Sequence, residues 1–345
     1  MSTSKWGPWR IEEQAGTGGQ GDVFKVTHSE TGEIGALKRL RNPNRLDRFK
    51  KEIESVTALQ HPNIVRLVDA NMTTEPFYAV FEYEKGGSLG AMSPEELGST
   101  SIELRLAWCQ QLASALEVAH AQGFVHRDIK PDNILLSVDR KTARLCDFGL
   151  VYIDEGERVT VTEEQVGSRY YIAPECEAGR VDKVGPASDL YSLGKVLYFV
   201  VSGGKIYSRE RHREDRLDLA KLLHDPFMEH ISRVIDRVAT EDKRLSEAST
   251  FRKLLVQATS KLLEKRPCPG HWQTYRCMFC GHGNYVQAAT SVSGHNEGYS
   301  QEGNIGSQFM VFLECNHCGN CQRFKVKTGG THWFPDAFNE YQNRR

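Results

Sequence analysis

Within eight residues, His126-Arg127-Asp128-Ile129-Lys130-Pro131-Asp132-Asn133, the chain gathers an acid, a lysine and a carboxamide. A carboxylate such as Asp128 can accept a hydroxyl proton. A lysine such as Lys130 can neutralise a moving phosphate, and a short amide such as Asn133 can hold a divalent cation. Phosphoryl transfer asks for these acts, because it rests on positioning and charge more than on a strong base. The same residues would also make an ordinary polar surface turn, so the rest of the chain must supply the remaining parts. A second grouping has metal-ligand character. Cys277-Met278-Phe279-Cys280-Gly281 and Cys315-Asn316-His317-Cys318-Gly319 each place two thiols across a tight turn. Two such turns can complete a tetrahedron around zinc, with glycine permitting the positive dihedral.

The elements that must position the first grouping can be read in chain order. Gly16-Thr17-Gly18-Gly19-Gln20-Gly21-Asp22-Val23 brings backbone amides close enough to bond phosphate oxygens. It runs into Phe24-Lys25-Val26, which alternates like a strand, whereas a dinucleotide-binding turn would run into a helix. Ala36-Leu37-Lys38 follows the turn Thr31-Gly32-Glu33. From Leu46 to Gln60, Phe49, Ile53, Val56 and Leu59 recur at helical spacing, and Glu52 falls on or beside that stripe. A carboxylate there needs a partner; Lys38 is the obvious one, with Arg48 or Lys51 on the same helix as alternatives. Strands are expected near Ile64–Asn71 and Phe77–Tyr83, and a long helix over 101–122 stopped by Gly123. Ile134–Leu136 and Ala143–Cys146 read as a small hairpin around Asp139-Arg140-Lys141, delivering Asp147-Phe148-Gly149. Further helices are expected around 229–240 and 247–264; residues 203–225 carry no clear pattern.

In this order the segments resemble the eukaryotic-type serine/threonine protein kinases. H-R-D-x-K-x-x-N stands at 126–133, G-x-G-x-x-G-x-V at 16–23, the strand lysine at Lys38, D-F-G at 147–149 and A-P-E at Ala173-Pro174-Glu175. His61-Pro62-Asn63-Ile64-Val65 matches the family's segment after the first helix, though the loop between Lys38 and that helix is short for the family. The resemblance covers roughly residues 9–265. It implies an α+β, two-lobed fold, with a β-rich first lobe (about 9–84) and a mainly helical second lobe (about 85–265).

It also implies roles. Asp128 would orient the substrate hydroxyl, Lys130 would neutralise the transferring group, and Asn133 with Asp147 would hold magnesium (or manganese) bridging the ATP phosphates. Gly16, Thr17, Gly18, Gly19, Gln20, Gly21, Val23 and Ala36 would surround ATP, and Lys38, oriented by Glu52, would hold its α- and β-phosphates. Phe81 would be the gatekeeper, with the backbone of Glu82-Tyr83-Glu84 meeting adenine. His126 would pack and bond structurally rather than act as a base, and Cys146 would pack. Asp189 would cap the amides of the catalytic loop, and Glu175 would pair with Arg244. Lys130 and Ser168 favour serine/threonine over tyrosine as acceptor. Arg127 would receive a phosphate on Thr160 or Thr162, placed there by autophosphorylation; Glu163 and Glu164 could supply constant charge instead. A catalytically silent nucleotide-binding scaffold and a small-molecule kinase are the competing readings. The presence of Lys38, Asp128, Asn133 and Asp147 argues against the first, and the A-P-E segment with Ser168 against the second.

Composition bounds the rest. The chain has 345 residues, with 44 Lys+Arg against 45 Asp+Glu, so net charge gives no support for nucleic acid or membrane partners. No apolar run approaches the ~18 residues of a membrane span, and the start carries no apolar signal segment, so a cytoplasmic location is expected. Six of the nine cysteines follow residue 267, which points to metal binding rather than disulfides. Pro267-Cys268-Pro269-Gly270 marks a break. The expected organisation is a linker over 266–276, a small β-rich zinc-ribbon-like domain over 277–330, and a tail over 331–345. Cys277, Cys280, Cys315 and Cys318 are the expected zinc ligands, with Cys268, His271, His317 and Cys321 as lesser candidates. Strands are expected at Gln308–Glu314 and Gln322–Lys327, and the 34-residue spacer demands one long loop. From residue 267 onward there are six Lys+Arg and five Asp+Glu, so this unit too offers little charge for nucleic acid. Trp272, Tyr275, Trp333 and Phe334 suit its core better than a recognition surface. Protein substrates and a docking partner for the ribbon are the partners expected.

Overall fold

Period-two alternation and one amphipathic helix build the first part of the chain, as seen in a computed structural model. The structure describes residues 5–18, 21–148, 169–177, 183–240 and 244–264, together with the strand backbones 285–292, 308–315, 321–327 and 333–335. The chain divides into two compact units, residues 1–206 with 237–253 and residues 207–236 with 254–345.

The first unit opens with strands β1 (Lys5–Trp6), β2 (Trp9–Gly18), β3 (Gly21–His28) and β4 (Ile34–Arg39), then helix α1 (Leu46–Ala58) and strands β5 (Leu67–Asn71) and β6 (Tyr78–Glu82). They form an antiparallel sheet in the order β1-β2-β3-β4-β6-β5. Alternation along β4 sends Leu37 into a cluster with Trp9, Val26, Tyr78 and Val80. The next residue, Lys38, falls on the opposite face, between Val23 of β3 and Ala79 of β6. On that face Phe49 and Ile53 of α1 pack with Ala79, flanked by Leu67, Ala70 and Phe81. Each such buried side chain contributes on the order of 1.5–3 kcal/mol, so α1 is held by its stripe more than by helix propensity. The expected strand over Ile64–Asn71 starts only at Leu67. Its first residues pair elsewhere: Ile64 bridges Leu145, and Val65 N–H donates to Leu145 O at 2.9 Å.

The remaining elements of this unit are mostly helical: α2 (Pro94–Ser99), α3 (Ile102–Ala121), the hairpin β7 (Ile134–Leu136) and β8 (Ala143–Leu145), α4 (Pro174–Glu177) and α5 (Pro186–Val201). Ser101 caps α3 by accepting from Leu104 N–H, and Gly123 leaves the helix at φ 79°. Helix α5 is apolar nearly all round, and 13 of its 16 residues are buried, which makes it the central rod of the helical part. Gly86 is required by close approach: a Cβ there would collide with the carbonyls of Leu136 and Ser137, and its N–H donates to Leu136 O at 3.1 Å.

The second unit contains α6 (Leu219–Leu222) and α7 (Glu229–Asp236). Here the unpatterned stretch 203–225 acquires its logic. Arg213 pairs with Glu229 at 2.6 Å and Asp236 at 2.5 Å, and buried His212 sits 2.8 Å from Asp236. Charge pairing rather than apolar periodicity fixes this loop. Helix α8 (Ala248–Leu263) follows. The described strands beyond it, β9 (Tyr285–Val292), β10 (Gln308–Cys315), β11 (Cys321–Lys327) and β12 (Trp333–Pro335), form an antiparallel sheet in the order β12-β11-β10-β9. Strands β10 and β11 lie where the sequence places them, each one residue longer. Strands β9 and β12 add to them, and Trp333 and Phe334 pair with Val326 and Lys325.

Candidate active site

Lys38 reaches the site because β4 alternation sets it toward α1, and α1 presents Glu52 from the edge of its apolar stripe. Lys38 Nζ lies 2.7 Å from Glu52 Oε1 and 2.9 Å from Asp147 Oδ1. Lys38 and Glu52 are both buried, so the expected ion pair is formed, and the alternatives on α1 are not needed. Burial opposes the ammonium, but Asp147 and Glu52 outweigh it and the Lys38 pKa is raised. Burial likewise pushes the Asp147 carboxyl up, and Lys38 more than reverses it, so the Asp147 pKa is lowered.

The loop 126–133 is organised around its own backbone. Asp128 Oδ2 receives Lys130 Nζ at 2.8 Å and Asn133 Nδ2 at 2.9 Å. Asn133 Nδ2 also donates to Asp128 O at 2.7 Å. The Asn133 amide nitrogen is thus committed inward, and its carbonyl oxygen accepts no hydrogen bond among the described residues. A carboxamide oxygen here and the Asp147 carboxylate are hard oxygen donors, the chemistry magnesium prefers. Among the described residues no group of three or more His, Cys, Asp or Glu side chains could hold a metal ion.

His126 is fully buried, stacks edge-on against Phe148 with ring centroids 4.6 Å apart, and places Nε2 2.9 Å from Cys146 O. It joins the catalytic loop to the segment carrying Asp147, as a structural histidine should. Asp189, at the start of α5, accepts the N–H of His126 at 2.8 Å and of Arg127 at 2.7 Å. A third contact was not foreseen: His120, in the last turn of α3, sets Nε2 2.8 Å from Asp189 Oδ2. Arg127 and Asp147 both adopt left-handed backbone, φ 69° and 60°, which non-glycine residues avoid unless their surroundings hold them there.

Glu175 meets Arg244 at 2.6 Å and accepts from Ser188 Oγ at 2.6 Å. Burial raises its pKa, but these two bonds dominate and lower it. Cys146 is partly buried and its thiol is pushed well above the ordinary value by desolvation, consistent with packing rather than reactivity.

Strands β2 and β3 meet as a glycine hairpin, Gly18 opposite Gly21 and Gly16 opposite Val23, with Gly19 and Gln20 outside the described residues. Ala36 pairs with Phe81 across β4 and β6, and Glu82 ends β6. The Glu82 side chain pairs with Arg144 and Arg66, and that of Glu84 with Arg144. Arg144 was invisible to spacing arguments because its partners lie about 60 residues away in sequence. Thr160, Thr162 and Ser168 lie outside the described residues, as do Gly149, Cys277, Cys280 and Cys318. Cys315 closes β10 and Cys321 opens β11.

Comparison with known proteins agrees with this geometry. Residues 9–274 match the family described as "Protein kinase domain". The chain is 34% identical over 212 residues to "Serine/threonine-protein kinase PknA" of Mycobacterium tuberculosis, covering 59% of this chain and 48% of the relative. It is 35% identical over 201 residues to "Serine/threonine-protein kinase ppk25" of Schizosaccharomyces pombe, covering 57% and 47%. It is 32% identical over 213 residues to "Serine/threonine-protein kinase PknE" of Mycobacterium bovis, covering 60% and 37%. The match therefore spans about half or less of each of these relatives.

Proposed function

The chain belongs to the protein kinase family, and on that premise we propose that it is an ATP-dependent serine/threonine protein kinase acting on protein hydroxyls. The observation that carries the reading is the convergence of Lys38, Glu52 and Asp147 into one charged chain, with Asp128, Lys130 and Asn133 bound to one another. Magnesium-bound ATP would supply the phosphoryl group. Asn133 through its amide oxygen and Asp147 through its carboxylate would hold the metal, and Lys38 would hold the phosphates. Asp128 orients the acceptor hydroxyl and takes up its proton at a carboxylate oxygen. Lys130, already 2.8 Å from that carboxylate, stands where negative charge moves. Asp128→Asn should abolish transfer from radiolabelled ATP to protein while ATP binding persists. Turnover near wild type in that variant would reject the assignment. Transfer to a small molecule but never to protein would favour the competing small-molecule reading, and ATP binding without any transfer in the wild type the silent scaffold.

The C-terminal unit we read as a zinc ribbon with Cys277, Cys280, Cys315 and Cys318 as ligands, serving docking or regulation in a reducing, cytoplasmic setting. What supports this is the sheet register. Tyr285, the first residue of β9, pairs with Cys315, the last of β10. Along the chain, Cys280 precedes Tyr285 by five residues and Cys318 follows Cys315 by three. Four protein ligands would leave no open position, so the metal would be structural. Among the described residues no helix is long and apolar enough to cross a membrane.

A further inference from the structure

Strand β8 carries a second charged side chain three residues before Asp147. Arg144 Nε donates to Pro62 O at 3.0 Å, in the segment that follows α1. Its Nη1 pairs with Glu84 and lies 3.3 Å from Glu82 Oε2. Glu84 is nearly buried, with a side chain only 7% exposed. Arg66 closes the group from the other side, 2.9 Å from Glu82 Oε1, while its own carbonyl accepts Glu82 N–H at 2.9 Å. One guanidinium, carried on β8, whose end at Leu145 lies two residues before Asp147, thus touches two other segments: the turn after α1 and the connection between the β-rich and helical parts.

We propose that Arg144 is a positioning residue for the adenine base. It fixes the Glu82–Glu84 backbone, the segment whose peptide groups would meet adenine, in register with the strand that delivers Asp147. The inference rests on the kinase reading for the identity of the nucleotide, but its geometry is independent of transfer. Two features make the clamp specific. Glu84, so little exposed, cannot be hydrated in place, so loss of its cation forces the carboxylate and its peptide to move. Arginine's planar fork can serve several acceptors at once, which a lysine on the same stem does only in part.

The test is ATP affinity by titration calorimetry, with the steady-state KM for ATP alongside, on the full chain. Arg144→Met keeps the aliphatic bulk and removes the charge. Losing the charge-assisted bonds to Glu82 and Glu84, of which only the part felt by adenine appears in binding, should weaken ATP about tenfold. The kcat and the KM for a protein substrate should stay within about twofold. Arg144→Lys should recover part of the affinity, and Arg144→Met with Glu84→Gln should lose no more than Arg144→Met alone. Partial misfolding lowers the active fraction, hence apparent kcat and calorimetric stoichiometry, but leaves Kd and KM unchanged. A wild-type Kd and KM in Arg144→Met therefore overturns the proposal, whatever happens to yield or melting temperature. So does a double variant whose losses simply add. A wild-type chain that binds ATP but transfers nothing defeats the kinase reading and leaves the Kd comparison to decide this one.

Discussion

Asp189→Asn is the sharpest single probe of how the site is held. The wild-type carboxylate is fully buried and uses both oxygens: Oδ2 for His126 N–H and His120 Nε2, and Oδ1 for Arg127 N–H. An amide of the same shape keeps one acceptor. Its NH2 must then face a backbone N–H, that of His126 at one position or that of Arg127 at the other, a donor against a donor. One charge-assisted bond is lost, about 1.5–3 kcal/mol, and one buried donor is left unsatisfied, about 1–3 kcal/mol. The sum, roughly 2.5–6 kcal/mol, is a large part of a typical total of about 5–15 kcal/mol. At about 2–4 °C per kcal/mol for a domain of this size, the melting temperature should fall by on the order of 10 °C. Activity should fall as well. Arg127 holds φ 69° with its N–H bonded to Asp189, and left-handed backbone costs about 1–2 kcal/mol. Released, the residue before Asp128 relaxes, and the competent geometry becomes a minority state. That corresponds to roughly 5- to 30-fold in kcat. Near-UV circular dichroism melts and initial rates at saturating ATP measure the two effects. A variant melting within about 3 °C of wild type with kcat within twofold would refute the argument.

Three other expectations follow from the same structure. Glu175 has a depressed pKa, so its pairing with Arg244 stabilises the fold above the ordinary carboxylate value of about 4.3 and is lost as pH falls through the lower, folded-state value. Arg244→Met should therefore open a gap in melting temperature at pH 7 that narrows toward pH 4; a gap independent of pH would contradict the pairing. Freshly purified, reductant-treated protein should contain one zinc per chain by elemental analysis, and a chelator should disorder the sheet of β9 to β12 while leaving ATP binding intact; protein without zinc would sink the ribbon. Mass spectrometry before and after phosphatase should find phosphate on Thr160 or Thr162 in active protein, and full activity with neither modified would remove Arg127 from any switch.

Much of the fold was readable because its signals are local. The 3.6-residue stripe Phe49-Ile53-Val56 located α1 and singled out Glu52 as a carboxylate in need of a partner. Alternation along β4 then put Lys38 where that partner had to be. What escaped the sequence are contacts whose logic is not periodic. His120 lies 69 residues from Asp189, and nothing in its own helix marks it, since a histidine in the last turn of a helix is also at home there for dipole reasons. Arg144 sits in a three-residue strand, too short for a pattern to distinguish an inward cation from a solvated one. The stretch 203–225 is ordered by Arg213 with Glu229 and Asp236, and charge pairing leaves no hydrophobic period to detect. Strand β9 was missed for a compositional reason: Tyr-Val-Gln-Ala-Ala-Thr-Ser-Val is weakly apolar, and only its register against β10 makes it a strand.

The two left-handed residues show why buried charges were kept in this site at all. Arg127 and Asp147 would each relax by about 1–2 kcal/mol if free. Each is instead opposed by an ionic contact inside the protein, Asp189 on the Arg127 N–H and Lys38 on the Asp147 carboxylate. A neutral hydrogen bond, with a net worth of about 0.5–1.5 kcal/mol, would barely balance that strain, whereas a bond to a charged group, about 1.5–3 kcal/mol, exceeds it. Replacing these ion contacts with apolar packing could well leave the fold intact. It would not leave Asp128 and Asp147 aimed, because apolar contacts are non-directional, whereas the Asp189 and Lys38 contacts act directly on the two loops whose backbones hold φ near 60–70°. The buried charges therefore act as geometric constraints on two loops, in addition to whatever stability their removal would cost. That reading requires Lys38→Met to change the orientation of Asp147 more than it changes the melting temperature.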